Sequence, residues 1–82
     1  MDKKYMIAGA TGKTGRIIVQ KLLDRGVRPR VLVRNHDLAK NLFRDQVDVY
    51  VGDVRQPENL LIALDNVDIV ISAIGTRTPV GK

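Results

Sequence analysis

The sequence predicts an α/β fold with a parallel four-stranded sheet, its elements in the order βαβαβαβ and its strands in the order 3-2-1-4. Three observations carry this. Short apolar runs ending in glycine or polar turn residues recur along the 82 residues, as strands buried on both faces do. Between them, apolar side chains return at three- and four-residue spacing, the period of a helix with one buried side. Each connection is about the length of one crossover helix, and right-handed crossovers of that kind make the sheet parallel.

Tyr5-Met6-Ile7-Ala8 is short and apolar and meets glycine at once, which makes it the first strand. From Thr14 the spacing changes. Ile18, Val19, Leu22 and Leu23 line one face and Arg16, Gln20, Lys21 and Asp24 the other, until Gly26 stops the helix. Pro29 bars further helix, and Arg30-Val31-Leu32-Val33 forms the second strand, ending at Arg34. Asp37 is placed to cap a short helix carrying Leu38, Leu42 and Phe43. Val47 to Val51 is the third strand, closed by Gly52-Asp53. Pro57 and Glu58 suit the first turn of a third helix, in which Leu60, Leu61 and Leu64 form the apolar stripe. Asp68 to Ala73 is the last strand.

Composition narrows the chemistry. A chain of 82 residues supports one small domain, and 44% hydrophobic with 28% charged residues is the balance of a globular chain. With no cysteine and one histidine, thiolate nucleophiles, disulfides and Cys- or His-based metal sites are excluded. His36 reads as an exposed loop residue. The longest apolar run, Ile69 to Ile74, is far short of the ~20 residues that span a bilayer, so the expectation is a cytoplasmic chain with no membrane partner. A net charge of +5 favours anionic ligands. Nucleic acid is not expected among them, because the basic residues are scattered and three aromatics, two of them in strands, make no stacking platform.

Gly9-Ala10-Thr11-Gly12-Lys13-Thr14-Gly15 joins the first strand to the first helix, with glycines at positions one, four and seven. In a dinucleotide-binding turn the first glycine permits the tight turn, the second admits a pyrophosphate and the third lets the helix pack on the sheet. Open amides at the helix start would then hold the phosphates. Gly12-Lys13-Thr14 also matches the end of the G-x-x-x-x-G-K-[ST] loop, but the first glycine would fall at Ile7, inside a strand. Arg34 stands at the end of the second strand, where an acidic residue would bond the 2′-hydroxyl of NAD and an arginine the 2′-phosphate of NADP. Lys13 and Asn35 are placed to add contacts. Asp53 and Val54 end the third strand and Ala73 and Gly75 the fourth, at the carboxyl edge where open α/β sheets bind ligands. Asp53 is expected either to accept a bond from an adenine amino group or to cap its own turn.

Together G-A-T-G-K-T-G, V-L-V-R-N, V-G-D-V and S-A-I-G-T-R resemble the atypical, extended-type short-chain dehydrogenase/reductases. Within them the chain is similar to the NmrA-like NAD(P)H-binding group and to NADPH-dependent flavin and biliverdin reductases. The resemblance runs from about Tyr5 to Arg77. It implies a Rossmann-like half-fold and the NADP(H)-binding portion of an oxidoreductase whose hydride acceptor is a flavin, quinone or carbonyl compound. The alternatives are a non-catalytic dinucleotide sensor and a sugar-nucleotide epimerase or dehydratase. No catalytic residue is expected in this stretch, because neither Tyr5 nor Tyr50 has a lysine four residues later. A six-stranded dinucleotide fold needs two strands more than are predicted here. Residues 1–82 are therefore expected to precede a substrate-binding half, and the fourth strand to pair with that half or with the same edge of a second copy.

Overall fold

A computed structural model of the chain describes residues 3–73. Seven elements follow one another: β1 (Tyr5–Ala8), α1 (Lys13–Asp24), β2 (Arg30–Val33), α2 (His36–Phe43), β3 (Asp48–Val51), α3 (Pro57–Ala63) and β4 (Ile69–Ser72). The strands form one parallel sheet in the order β3-β2-β1-β4. Met6 lies opposite Arg30 on one side and Val70 on the other. The half-fold and strand order expected from the sequence are both present.

Alternation along the strands divides the interior in two. Ile7, Val31 and Val33 pack with Val19 of α1 and with Ala39 and Phe43 of α2. On the opposite face Met6, Ala8 and Leu32 meet Ala63 of α3. β1 and β2 are buried almost throughout because helices cover both their faces.

The helix ends have local causes. At the C-terminus of α1, Gly26 takes φ 79°, its N–H donates to Leu23 O, and the N–H of Val27 donates to Leu22 O. That paired closure satisfies the last carbonyls and requires the left-handed residue the glycine supplies. α2 is capped by Asn35 rather than by Asp37: Asn35 Oδ1 accepts from the N–H of Leu38 at 3.0 Å, and Asp37 lies inside the first turn. Asn35 wins because it is the last extended residue after β2. In α3 the apolar stripe is Leu60, Ala63 and Leu64, while Leu61 is 71% exposed, a correction to the expected set. β4 is an edge strand among the described residues. Its Ile71 packs inward, and Val70 is 49% exposed.

One buried charge ties the sheet to α3. Arg30, on β2, is 8% exposed. Its Nη1 donates to the carbonyls of Ala63 and Asp65, each at 2.8 Å, and its guanidinium lies 4.3 Å from the Tyr50 ring centroid. A seven-residue helix is too short to persist by propensity, so this cap and the apolar stripe hold α3. Replacing Arg30 with Leu keeps bulk but removes both donors, and should cost about 2 kcal/mol for carbonyls left without partners. A urea midpoint lowered at unchanged slope is the expected signature; an unchanged midpoint would show that apolar contact alone holds α3.

At the same end of the sheet, Asp48 of β3 lies opposite Arg30 and accepts from Lys4 Nζ at 3.0 Å and from Arg28 Nε at 2.9 Å. The two bonds hold its carboxyl below the usual range, the arginine contributing most. A depressed carboxyl stabilises the fold above its ordinary value and loses that effect on acidification. The contribution is small because both pairs face water.

Candidate functional site

The carboxyl ends of all four strands open on one cleft of about 450 Å³. Its floor is the turn between β1 and α1, where three glycines do three different things. Gly9 takes φ 76°, which turns the chain sharply out of β1. Gly12 caps α1 in ordinary extended geometry (φ −77°, ψ 173°), and a Cβ built there meets only Gly9 O, at 3.6 Å. Gly15 is buried, and a Cβ there would stand 2.2 Å from Gly9 O and 2.6 Å from Ala10 Cα. The fold itself therefore demands glycine at 9 and 15. At 12 it does not, and that position lines the cleft.

The start of α1 is chemically open. Its first intrahelical bond runs from the N–H of Arg16 to Gly12 O, so the amides of Lys13, Thr14 and Gly15 have no acceptor within the helix. No side chain caps it and no acidic residue sits in its first turn. Lys13 and Thr14 are exposed and Thr11 is half-buried beside them. Such a terminus, with its positive dipole end, suits an anion.

Arg34, at the end of β2, is exposed on the cleft wall, and no carboxylate among the described residues pairs with it. Asn35 next to it is outside the lining, its oxygen committed to the α2 cap. Val54 and Ala73 give apolar wall, and the N–H of Ala73 donates to Ala8 O at 2.8 Å, which carries the β1–β4 pairing up to the rim. Gly75 lies outside the described residues.

The turn after β3 is held by two residues that the sequence did not single out, Asn59 of α3 and Arg55 of the turn itself. Asn59 Oδ1 accepts from the N–H of Asp53 at 3.1 Å and fills the space a side chain on Gly52 would need, 2.6 Å from its built Cβ. Arg55 reaches back two residues to Asp53. Its Nε donates to Oδ1 at 3.0 Å, its Nη2 to Oδ2 at 2.7 Å, and its own N–H to Oδ1 at 2.9 Å. These side-chain and backbone bonds, with attraction from Arg55 and then Arg34, lower the Asp53 carboxyl to about 2 and raise Arg55. Of the two roles expected for Asp53, the turn cap is the one seen. A D-x-R spacing is the only sequence signal of the pair.

Of the twelve sequence-derived site residues, Gly9, Gly12, Arg34, Asp53, Val54 and Ala73 line the cleft, and Lys13, Thr14 and Gly15 supply the open helix start. This arrangement can take a bridged diphosphate at the amides and a second anion at Arg34. Among the described residues there is no group of three metal-ligating side chains, and no helix is long and apolar enough to cross a membrane.

The NAD(P)H-binding family matches residues 9–80. The chain is 40% identical over 72 residues, 88% of its length, to Photosystem II assembly factor Ycf39 of Cyanophora paradoxa, of which it covers 22%. Isoflavone reductase superposes with a TM-score of 0.76 at 33% identity, over 92% of this chain and 28% of that one. UDP-N-acetylglucosamine 4-epimerase from Bacillus cereus gives 0.73 at 28% identity, over 99% and 27%. The chain spans 13% to 28% of the length of the first curated relatives it matches.

Proposed function

The chain belongs to the NAD(P)H-binding family, with the atypical short-chain dehydrogenase/reductase features read from its glycine loop, and on that premise we propose that it is the NADP(H)-binding portion of a longer oxidoreductase. The observation that carries the preference for NADP(H) is Arg34, exposed on the cleft wall with no carboxylate partner among the described residues. In this reading the amides of Lys13, Thr14 and Gly15 hold the pyrophosphate, Gly12 admits it, and Arg34 pairs with the 2′-phosphate through two charge-assisted bonds. Val54 and Ala73 offer apolar contact. Bound NADPH supplies a hydride for a small acceptor such as a flavin, quinone or carbonyl compound. The chain's own residues bind and orient.

Acid–base groups lie outside this stretch in that reading, since no tyrosine is followed by a lysine four residues on. The open edge of β4 then belongs against the remainder of the longer protein or a second copy, and the compartment is the cytoplasm. A second reading, a dinucleotide-binding regulator without turnover, is favoured by the likeness to a relative named as an assembly factor. The 82-residue chain should change NADPH fluorescence on binding and leave the cofactor unoxidised with flavin, quinone and carbonyl acceptors. Turnover by the chain alone would overturn the placing of the acid–base groups. The longer protein oxidising NADPH with one of these acceptors supports the reductase; binding without turnover by any of them supports the regulator.

A further inference from the structure

Asp53 is an acidic residue on the wall of a cleft suited to anions, and the way it is held bears on Arg34. Two guanidinium groups share its neighbourhood. Arg55 takes both carboxylate oxygens with Nε and Nη2, and its backbone N–H takes Oδ1 again. Arg34 acts on the same carboxylate through space but makes no hydrogen bond to it among the described residues. The pair stands at the rim, with the Arg55 side chain 76% exposed and that of Asp53 21%. Arg55 is thus held by Asp53 and by water rather than by the core, and removing it leaves no hole.

Without Arg55, the Asp53 carboxylate would face Arg34 as its nearest cation and pair with it. An arginine already paired with a carboxylate must give up that partner to take a phosphate, and the released carboxylate then repels the incoming dianion. We propose, resting on the NADP(H) reading above, that Arg55 is a positioning residue for cofactor choice: it occupies Asp53 and so leaves Arg34 free for the phosphate monoester on the ribose. The cationic pair is not a duplicated anchor. One arginine binds the ligand, and the other keeps a carboxylate away from it.

The test titrates NADP+ and NAD+ against the full 82-residue chain and against Arg55→Gln, Asp53→Asn and the double variant, with circular dichroism to confirm folding. Arg55→Gln should weaken NADP+ binding by about two- to five-fold, the scale of an exposed charge pair, with NAD+ binding unchanged. Adding Asp53→Asn should restore the NADP+/NAD+ ratio, because no carboxylate remains to engage Arg34. An unchanged ratio in Arg55→Gln overturns the inference. So does a loss that persists in the double variant, which would mean that Arg55 touches the phosphate itself or shapes the loop. If the parent does not discriminate the two cofactors and Arg34→Glu has no effect, the NADP(H) reading fails and the inference with it. Discrimination that depends on Arg34 but ignores Arg55 leaves that reading standing and defeats only this step.

Discussion

Arg34→Glu should reverse the dinucleotide preference of the chain, lowering affinity for NADP(H) by about ten- to hundred-fold while sparing or improving NAD(H). Two charge-assisted bonds from one guanidinium to a phosphate are worth roughly 1.5 to 3 kcal/mol net, and the replacement sets a carboxylate against a dianion. A glutamate at this position also offers an acceptor to a free ribose hydroxyl. The same pairing gives a pH signature. A phosphate monoester gains its second charge near pH 6, so NADP+ affinity of the parent should fall as pH drops from about 7 to 5. NAD+ affinity should stay level, because the Asp53 carboxyl, held at about 2, remains ionised throughout. Fluorescence titration of both cofactors decides the matter: equal affinities in the parent, or no shift in the variant, would remove Arg34 from the assignment.

Substitution at two glycines three residues apart should separate binding from folding. Gly15→Ala drives a methyl group to 2.2 Å from Gly9 O and 2.6 Å from Ala10 Cα. Both obstacles are backbone, so no rotamer can clear them, and α1 must lift from β1. Overpacking of this kind costs about 3 kcal/mol or more, a large share of the roughly 4 to 12 kcal/mol that holds a domain of this size. Gly12→Val places its Cβ in ordinary contact with Gly9 O, at 3.6 Å, on an ordinary backbone conformation. Its fold should lose only about 1 kcal/mol, for a poor helix cap, while cofactor affinity drops at least about a hundred-fold as the side chain fills the approach to the amides. Urea midpoints and NADPH titration together read the contrast. Retained affinity in Gly12→Val would mean that no pyrophosphate rests there, and a parental midpoint in Gly15→Ala would mean that the helix–strand contact has slack.

Much of this was legible in the sequence because local and global requirements coincide. The run from Tyr5 to Gly15 must be strand, turn and helix whatever surrounds it, and the alternation of strand and helix periods leaves one simple way to wind the sheet. What escaped the reading depends on geometry that residue type does not encode. Asn35 and Asp37 are both good caps, and the choice turned on which one still had extended backbone when β2 ended. Leu61 looks more buried than Ala63 by size, yet the small residue is the one that lets α3 approach the sheet. Arg30 reads as an apolar strand position, and its Nη1 is answered by carbonyls 33 and 35 residues away. Arg55 finds Asp53 only because the β3–α3 turn folds back on itself.

The position of β1 sets the timing of its own completion. Of the four strands it is the earliest to be synthesised, and its two edges are closed by partners far apart in the chain: Met6 pairs with Arg30 and, on the other edge, with Val70. At about 5 to 20 residues per second, roughly 2 to 8 s pass on the ribosome between those two arrivals. A helix forms in about a microsecond, so α1 and α2 are ready long before β4 exists. Throughout that interval β1 offers bare amides and carbonyls, beside a Met6 that is fully buried in the finished fold. The nascent chain thus carries β1 as a half-paired edge strand, and any binder of extended peptide in the cell has that interval in which to compete with β4.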